Sequence, residues 1–364
     1  MKNNILIIVG GMVARMPHVD LYIKILDKNS VNYDIVEWNR NEDSVIPLAN
    51  RFVYEKKIND LAPFYVKLVE IYKFSRYVRK VMKKKRYDKI ITFTIADSLY
   101  IIPYLVRKFK NNYIFDIRDY SPLCRVPLFN QILRVFINNS YATCISSPGF
   151  KKWLPKNCHY TISHNIDTSL IKNEFECTLQ SKYDNIKILT IGRLRDYESN
   201  KFLIKELSNV DKIKLEFVGD GTARPFLEDY CKKNKISSVY FHGFYNKRDE
   251  SSFYEKCDMV NICLTRNKLS DYLMSNRFYL SVIHRKPMIV NEGSYQAVIC
   301  KKYGLGVVID YNKNFVEQLN DYVEKFNKFE YEKNRRRFIS EVLYEQKEFE
   351  KQFNTFLGKC LNIK

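Results

Sequence analysis

The half of the chain from Ile186 to Asp310 repeats one local pattern, in which a short apolar run ends at a glycine or polar turn and a helical stretch usually follows. The predicted strands are 186–191, 215–218, 239–242, 259–264, 287–290 and 306–309. The predicted helices between them are 201–207, 225–233, 251–256 and 277–284. Strands that alternate with helices at this spacing predict a parallel, doubly wound α/β sheet. Ligands of such sheets bind at the carboxyl ends of the strands, where these turns lie.

The turn after the second of these strands is rich in glycine. Gly219-Asp220-Gly221 follows Val218 directly, and a helix is predicted from Pro225. Such a turn leaves backbone N–H groups free at the end of the strand, and the positive end of the helix dipole adds to their attraction for phosphate. The sequence therefore predicts a phosphate-binding site at this edge of the sheet.

Three cationic residues follow the first strand of this half. Arg193 and Arg195 come directly after Gly192, and Lys201 lies further along in the predicted helix. Guanidinium groups can pair bidentately with a diphosphate, although these residues could equally be solvent-facing parts of a loop. Their position beside the glycine turns favours the diphosphate interpretation.

The first half of the chain begins in a similar way. A predicted strand at 5–9 ends at Gly10-Gly11, and a helix is predicted at 19–26. The two glycines either allow a ligand to approach the backbone closely or simply form a tight turn between strand and helix. The sequence leaves both interpretations open.

A later predicted strand in this half, 113–120, ends in charged residues. Asp116, Arg118 and Asp119 lie together there. Carboxylates at the carboxyl end of a strand are well placed for base or orienting chemistry. The same cluster could instead do no more than cap a loop.

Residues 67–89 form a basic segment in which aromatic and aliphatic side chains recur at helical spacing. The formal charge of the whole chain is +20, which predicts a polyanionic partner: nucleic acid, an anionic lipid surface or a phosphate-bearing substrate. A basic amphipathic helix is typical of membrane-surface proteins, although it could also pack on its own sheet and expose a merely solvated face. The residues predicted to contact a membrane are Arg76, Arg79, Lys80, Lys83 and Lys84.

Composition limits the remaining possibilities. A length of 364 residues suits two domains, and 46% hydrophobic residues can bury sizeable cores. The nine cysteines include no Cys-x-x-Cys pair, which argues against a zinc site or a disulfide framework and predicts a reducing cytosol. No apolar run approaches the roughly 18 residues that span a bilayer, so a soluble or peripheral protein is expected.

The end of the chain is predicted to be helical from residue 315 to 364. An apolar stripe within it is expected to be a docking face. The stripe consists of Phe338, Val342, Phe349, Phe353 and Phe356. A polar stretch at 173–185 is the predicted interdomain linker.

A series of short motifs runs through the second half of the chain. In order, they are Ile191-Gly192-Arg193-Leu194, Val218-Gly219-Asp220-Gly221, Phe241-His242-Gly243, Cys257-Asp258, Ser275-Asn276-Arg277 and Lys286-Pro287-Met288-Ile289. Their order and spacing resemble those of the GT-B glycosyltransferases, most closely the retaining "glycosyl transferases group 1" type (family four) of bacterial surface polysaccharide synthesis. In the first half, residues 115–119 resemble the Asp-x-Arg-Asp segment of the polysaccharide members. His164-Asn165-Ile166-Asp167 resembles the Asn-Gly-Val-Asp that follows the interdomain crossing.

The resemblance implies the GT-B fold, in which two Rossmann-like α/β domains with doubly wound parallel sheets face each other across a cleft. We expect an acceptor domain at 1–170, a linker at 171–185 and a nucleotide-sugar domain at 186–337. The helix at 338–364 is expected to dock back on the first domain.

The resemblance also implies a function. We expect a sugar to pass from a nucleoside-diphosphate sugar, here a UDP-sugar, to a lipid-diphosphate-linked glycan acceptor with retention of anomeric configuration. The expected place is the inner face of the cytoplasmic membrane, and the expected process is capsule, O-antigen or exopolysaccharide synthesis. Because arginines and helix dipoles would neutralise the leaving diphosphate, no metal and no cofactor are expected. The expected catalytic residues are Asp119 and Arg118. The expected donor-binding residues are Gly10, Gly11, His164, Asn165, Gly192, Arg193, Arg195, Lys201, Gly219, Asp220, Gly221, Phe244, Asn276 and Arg277.

Two positions depart from the family pattern. Leu280 stands where the family has a carboxylate for the nucleotide sugar, and Asp271 is the nearest candidate to replace it. The phosphate-binding lysine is also shifted, which leaves Lys201 and Arg195 as candidates.

Three other functions stay open. A UDP-sugar epimerase could use the same architecture, but the acidic and histidine residues that it needs are not evident. A degenerate, non-catalytic GT-B protein would account for Leu280. A nucleic-acid binder would account for the charge, but the aromatic residues do not form a stacking platform and no binding motif is present, which argues against nucleic acid.

Overall fold

Each half of the chain is built on a parallel β-sheet. The computed structural model describes residues 4–40, 49–59, 62–166, 168–172, 175–180 and 185–358. The chain divides into two units: residues 1–164 together with 345–364, and residues 165–344. The expected linker, 171–185, and Asp167 lie partly or wholly outside the described residues.

The first unit contains a seven-stranded sheet in which every neighbouring pair is parallel. Its strands are β1 (Asn4–Val9), β2 (Asn32–Asn39), β3 (Arg51–Glu55), β4 (Lys89–Phe93), β5 (Tyr113–Ile117), β6 (Ala142–Ile145) and β7 (Thr161–Ile162). The order across the sheet is β3-β2-β1-β4-β5-β6-β7. The direction of winding therefore reverses between β1 and β4, and the carboxyl ends of these two strands flank a crevice in which such folds bind ligands.

The helices of the first unit cover both faces of this sheet. They are α1 (Pro17–Lys28), α2 (Phe64–Lys84), α3 (Ile95–Ser98), α4 (Ile102–Lys108) and α5 (Pro127–Asn138). Short 3-10 helices also occur at Val13–Arg15, Pro122–Arg125 and Pro148–Lys152. Two short helices, α3 and α4, follow β4, and Pro103 lies in the first turn of α4, where its missing N–H is tolerated. The sequence did not predict β3, whose side chains are mostly half-exposed and show no clear alternation.

The second unit contains a six-stranded parallel sheet with the order β10-β9-β8-β11-β12-β13. Its strands are β8 (Ile186–Ile191), β9 (Ile213–Val218), β10 (Val239–Gly243), β11 (Met259–Asn261), β12 (Met288–Asn291) and β13 (Gly306–Ile309). The winding reverses between β8 and β11. All six strands were predicted, but β11 ends early, and the Asn261 side chain accepts a hydrogen bond from the Cys263 N–H just beyond it.

The helices of the second unit alternate with these strands. They are α6 (Tyr197–Leu207), α7 (Arg224–Lys233), α8 (Glu250–Glu255), α9 (Asn276–Ile283), α10 (Tyr295–Tyr303) and α11 (Phe315–Glu324). The last helix, α12 (Lys328–Phe356), begins in the second unit and ends in the first. Further 3-10 helices lie at Thr168–Lys172 and Lys247–Asp249. The sequence did not predict α10, although Ser294 marks its start by accepting a hydrogen bond from the Ala297 N–H.

The apolar stripe of α12 is buried in two separate cores. Phe338 and Val342 belong to the core of the second unit, whereas Phe349, Phe353 and Phe356 belong to a core of the first. In the first unit, the Tyr22 ring of α1 meets Phe349 and Phe353 edge-on, at centroid distances of 5.3 and 5.2 Å. Within the described ranges, no helix combines the length and apolar character needed to cross a membrane.

Candidate active site

A cavity of about 540 Å³ lies at the carboxyl ends of β8, β9 and β10 in the second unit. It is lined by Gly192, Arg193, Gly219, Asp220, Gly221, Phe244, Tyr245 and Lys247. Six of these residues were expected from the sequence to bind the donor. Tyr245 and Lys247 were not expected, although both follow β10, whose carboxyl end meets those of its neighbours at the same edge of the sheet.

The glycine turns of this cavity are in direct contact. Gly219 has a φ of +123°, and a β-carbon there would lie 2.0 Å from the Gly192 carbonyl oxygen. Hydrogen bonds from the Gly192 N–H to the Val218 carbonyl (2.9 Å) and from the Gly219 N–H to the Gly243 carbonyl (2.7 Å) join the ends of the three strands. Glycine is therefore required at 219, because any side chain would push two strand ends apart.

Arg193 and Lys247 supply positive charge to the cavity, since both line it. The Lys247 ammonium also pairs with Glu250, in the first turn of α8. Asp220 accepts a hydrogen bond from the Gly221 N–H at 2.7 Å, and one of its oxygens lies 3.8 Å from the Arg224 guanidinium. Within the described residues, Asp220 is the only carboxylate that lines the cavity.

Arg277 lies in the first turn of α9 and does not line this cavity. Its guanidinium donates a long hydrogen bond of 3.3 Å to the Asn261 carbonyl, and burial lowers its pKa below the ordinary value. Its charge also acts on the hydroxyl of the cavity-lining Tyr245, against the burial that raises the pKa of that tyrosine. No carboxylate within the described ranges forms an ion pair with the half-buried Arg277, although the negative charge of Asp196 acts on it. An anionic ligand could add to the neutralisation of this cation.

Lys201 does not line the cavity. Its ammonium lies 5.3 Å from the centres of both the Tyr197 and the Tyr230 rings, between α6 and α7. This location differs from the one expected, since the position of Lys201 along α6 directs its side chain to that helix interface, and its role at the donor phosphates stays a prediction. Lys247 occupies a cavity-lining position instead.

The remaining donor-binding candidates of the second unit lie elsewhere. Arg195 is exposed and does not line the cavity, and Asn276 is exposed in the first turn of α9. Asn165 is the first residue of the second unit. Asp271, the candidate replacement for the missing carboxylate, pairs with Arg266 at 2.6 Å.

A second cavity, of about 280 Å³, lies in the first unit at the winding reversal between β1 and β4. Its lining includes Gly10, Arg40, Asp97 and Asp119. The Asp97 carboxylate accepts hydrogen bonds from Arg40 (2.9 Å) and from the Thr94 hydroxyl (2.8 Å), and Thr94 itself has a φ of +55°. The sequence did not single out Arg40 or Asp97 as site residues. Arg40 falls at the end of β2, far along the chain from β4.

Gly10 is where the first unit needs a glycine. A β-carbon there would lie within 2.0 Å of the Asp97 carboxylate oxygens, so the missing side chain makes room for a charged group rather than for a tight turn alone. Gly11, the other expected residue, does not line the cavity, and its carbonyl accepts a hydrogen bond of 3.3 Å from the Trp38 N–H.

Asp119 is exposed on one side of this cavity. Loss of hydration raises the pKa of its carboxyl above the ordinary value, the Arg118 charge opposes that rise, and the negative charge of Asp97 adds to it. A carboxylate with a raised pKa is a better proton acceptor near neutral pH. The geometry is therefore compatible with base or orienting chemistry at Asp119.

Arg118 does not share the cavity of Asp119. Its guanidinium donates to Asp116 at 2.5 Å and to the carbonyl and hydroxyl oxygens of Ser163, each at 2.9 Å. Asp116 also accepts a hydrogen bond of 2.6 Å from the Tyr22 hydroxyl. Arg118 directly follows β5, and Asp119 lies in a bend after it, so the side-chain alternation of the strand does not extend to Asp119. Arg118 links β5 to the segment after β7 and does not line the cavity with Asp119, and its expected catalytic role stays a prediction.

His164, also expected at the donor, belongs to the first unit. Its side chain is buried, and its Nε2 lies 2.6 Å from a carboxylate oxygen of Glu345. This half-buried pair helps to hold the start of the 345–364 segment.

The basic segment forms α2. Its apolar side packs on its own sheet, and the Phe74 ring stacks on Trp38 at 5.3 Å. Arg76, Lys80, Lys83 and Lys84 are exposed. Arg79 is half-buried and donates hydrogen bonds to Ser75 and to the Tyr100 carbonyl, so four of the five residues expected at a membrane face solvent.

Leu280 is 8% exposed, within the core of the second unit.

No group of three or more His, Cys, Asp or Glu side chains in the described residues is placed to hold a metal ion.

Comparison with known proteins gives a fold but no family. No family model matches the sequence, and no curated protein matches it. A sucrose-phosphate synthase from Thermosynechococcus elongatus matches with a TM-score of 0.71 and 11% identity, over 98% of this chain and 99% of that one. Anabaena HepE in complex with UDP matches with a TM-score of 0.67 and 13% identity, over 97% and 100%. The lipopolysaccharide outer core galactosyltransferase WaaB matches with a TM-score of 0.62 and 16% identity, over 97% and 99%. These structures are GT-B glycosyltransferases, and this chain has their fold of two parallel-sheet α/β domains.

Proposed function

We propose that this chain is a glycosyltransferase that moves a sugar from a UDP-sugar to a lipid-diphosphate-linked glycan acceptor. The observation that supports it best is the cavity of the second unit, where two touching glycine turns lie beside Arg193 and Lys247. Similar structures were solved with UDP and with UDP-glucose, which supports a nucleotide sugar as the donor.

The donor step depends on compensation of negative charge. As the bond between the sugar and the diphosphate breaks, charge develops on the departing phosphate oxygens. Arg193, Lys247 and the N–H groups of the glycine turns surround the space where that charge would lie, and the half-buried Arg277 adds a positive charge that also acts on the cavity-lining Tyr245. With this set of cations the step needs no metal ion, and turnover should persist in excess EDTA.

The acceptor step is assigned to the cavity of the first unit. Asp119 would orient the acceptor hydroxyl or accept its proton, and the raised pKa of this carboxyl suits that role. Asp97 would accept a hydrogen bond from another hydroxyl of the acceptor, because Arg40 and Thr94 fix the Asp97 carboxylate in the cavity. Arg118 acts as a positioning residue that fixes the strand leading to Asp119.

The proposal has three further parts. The sugar would be transferred with retention of its anomeric configuration, and the acceptor would be attached to a lipid. The process would be capsule, O-antigen or exopolysaccharide synthesis at the inner face of the cytoplasmic membrane. The membrane part is supported by the exposed cations of α2, because an anionic bilayer attracts such a surface.

The decisive experiment combines binding and turnover. Thermal shifts with a panel of UDP-, GDP- and CMP-sugars identify the donor, and a ligand at about 100 times its Kd should add roughly 2.7 kcal/mol of stability. Turnover of the radiolabelled donor with membrane extract is then compared for the wild type, Arg193→Ala and the control Arg336→Ala, an exposed arginine of the same unit. Equal turnover by all three proteins would remove the assigned role of Arg193.

A non-catalytic GT-B protein is the second candidate, and Leu280 favours it. A buried leucine cannot accept hydrogen bonds from ribose hydroxyls, and Asp271 is already paired with Arg266. This candidate predicts a thermal shift with a nucleotide sugar but no transfer to any acceptor in the extract. Conversion of the donor without acceptor would instead indicate an epimerase.

A further inference from the structure

Helix α5 has two apolar faces, of which one is buried in the first unit and the other is exposed. Phe129, Leu133 and Phe136 are buried, and the Phe136 ring lies 4.7 Å from Phe115 of β5. On the outer side, Leu128, Ile132 and Val135 are 67%, 43% and 52% exposed. Their spacing of four and three residues places them in one line along the helix. We name these three residues the α5 stripe.

The layer of helices around the α5 stripe is strongly basic. The crossovers that contain α2, α4 and α5 all run across the sheet in the same direction, so right-handed connections place the three helices on one face. Together they carry ten lysines and arginines and one carboxylate. That carboxylate, Glu70, is buried and bonded to Lys73 at 2.6 Å. The exposed surface of this layer is thus cationic and apolar, with no exposed acidic side chain on the three helices.

Helix α2 carries a second exposed line of apolar residues in the same layer. Tyr65, Val69 and Tyr72 are exposed and follow the same spacing of four and three residues. Tyrosine is favoured where one end of a side chain is apolar and the other is wet, as at the boundary between lipid and water.

We propose that the α5 stripe inserts into the headgroup region of an anionic lipid bilayer, with the cations of α2 and α4 held against the lipid phosphates. Charge complementarity selects this occupant, since the combination of an apolar line and a cationic surround is that of helices lying in a membrane interface. The inference deepens the membrane part of the proposed function and rests on it.

The placement of α5 also connects the bilayer to the acceptor cavity. Pro122 and Leu123 line that cavity, and the 3-10 helix that contains them leads directly into α5. With α5 in the headgroup region, the cavity would lie close to the lipid surface. A lipid-linked acceptor could then present its glycan to Asp119 without leaving the bilayer.

The test is binding to vesicles by flotation at physiological ionic strength. We expect the wild type to bind equimolar phosphatidylglycerol–phosphatidylcholine vesicles and to bind pure phosphatidylcholine vesicles at least about tenfold more weakly. The triple variant Leu128→Ser/Ile132→Ser/Val135→Ser should lose about tenfold or more of the binding to anionic vesicles. The control Val298→Ser/Phe329→Ser/Tyr344→Ser removes three other exposed apolar side chains, which belong to the second unit, and should bind as the wild type does.

A second measurement leaves the stripe apolar. The two native tryptophans are mostly buried, so Ile132→Trp adds an exposed reporter whose emission should shift to the blue with anionic vesicles. Wild-type binding by the serine variant, or an unchanged emission from the Ile132→Trp variant, would overturn the proposal. So would a wild-type dimer that the serine substitutions separate, since the stripe would then join two copies of the chain.

Vesicle binding can fail independently of catalysis. Arg193→Ala should bind vesicles normally even though its turnover is lost, because Arg193 belongs to the other unit. Conversely, the serine variant should keep the thermal shift with the nucleotide sugar. Loss of both properties in the serine variant would indicate a folding defect, and the Ile132→Trp emission then decides the proposal alone.

Discussion

Gly219 packs directly against Gly192 in the cavity of the second unit, because a β-carbon added to Gly219 would lie 2.0 Å from the Gly192 carbonyl oxygen. Both residues have positive φ, at +123° and +105°. They differ in the space around them, since a β-carbon on Gly192 would meet nothing within 4 Å. An alanine at Gly192 would therefore meet backbone strain alone, whereas an alanine at Gly219 would meet both backbone strain and a steric clash.

The first prediction uses this pair. Gly192→Ala should lower the free energy of unfolding by about 1 kcal/mol, the cost of an unfavourable φ alone. Gly219→Ala should cost at least about 2 kcal/mol more, because the strand ends must move apart. Urea denaturation of both variants measures the difference, and equal losses would contradict the contact. Gly219→Ala should also lose the thermal shift with the nucleotide sugar.

The second prediction contrasts two cations of the second unit. Arg193→Ala should lower kcat/KM about 100-fold, because a charge that faces the leaving diphosphate is lost. Lys201→Ala should keep kcat/KM within about threefold and cost about 0.5–1 kcal/mol of stability, because its ammonium lies over the rings of Tyr197 and Tyr230 and not in the cavity. Steady-state kinetics with the identified donor check both values. A large loss of activity in Lys201→Ala would show that this lysine moves to the donor.

The third prediction concerns Asp119. Asp119→Asn should lower kcat about 100-fold or more if the carboxylate accepts or orients the acceptor proton. Folding raises the pKa of this carboxyl, so the folded state favours its protonated form. Ionisation of Asp119 at neutral pH therefore lowers the free energy of unfolding. Asp119→Asn should therefore be more stable than the wild type near pH 7, and the difference should shrink as the pH falls below the carboxyl pKa. Unfolding curves from pH 3 to pH 8 give this dependence, and a variant that is less stable at pH 7 would contradict it.

The fourth prediction concerns stability in acid. Burial, and then the charges of Lys286 and Lys247, lower the pKa of His284 to about 4. Its ring stacks on Tyr254 at 4.7 Å, and neither of its nitrogens has a hydrogen-bond partner among the described residues. Because the unfolded chain binds the proton more readily, the folded protein should lose on the order of 3 kcal/mol as the pH falls from about 6.5 to about 4.

Two variants isolate this contribution of His284. His284→Phe keeps an aromatic ring between Tyr254 and Phe175 and should flatten the pH dependence of unfolding in that window. His159→Gln changes an exposed histidine and should leave it as it is. An unchanged slope in His284→Phe would show that another group controls stability in acid, and His18, whose pKa burial lowers to about 3, would be the next residue to test.

Much of the fold was predictable because strands and helices leave local signals. All six strands of the second sheet were predicted, since each buried strand is a short apolar run that ends at a turn. Strand β3 and helix α10 were missed for the opposite reason. The side chains of β3 are half-exposed, and α10 has no strong apolar periodicity.

The sequence by itself determined the architecture and the glycine turns, because backbone conformation and the alternation of apolar runs depend on neighbouring residues. Only the tertiary structure decided which polar side chains meet. It paired Arg118 with Asp116 and Ser163, placed Lys247 rather than Lys201 in the lining of the second unit's cavity, and brought Arg40 to Asp97 across 57 residues. It also left the α5 stripe uncovered. The direction of a side chain depends on its exact register in a strand or helix, and its partners depend on how strands are ordered in the sheet, and no local pattern encodes either.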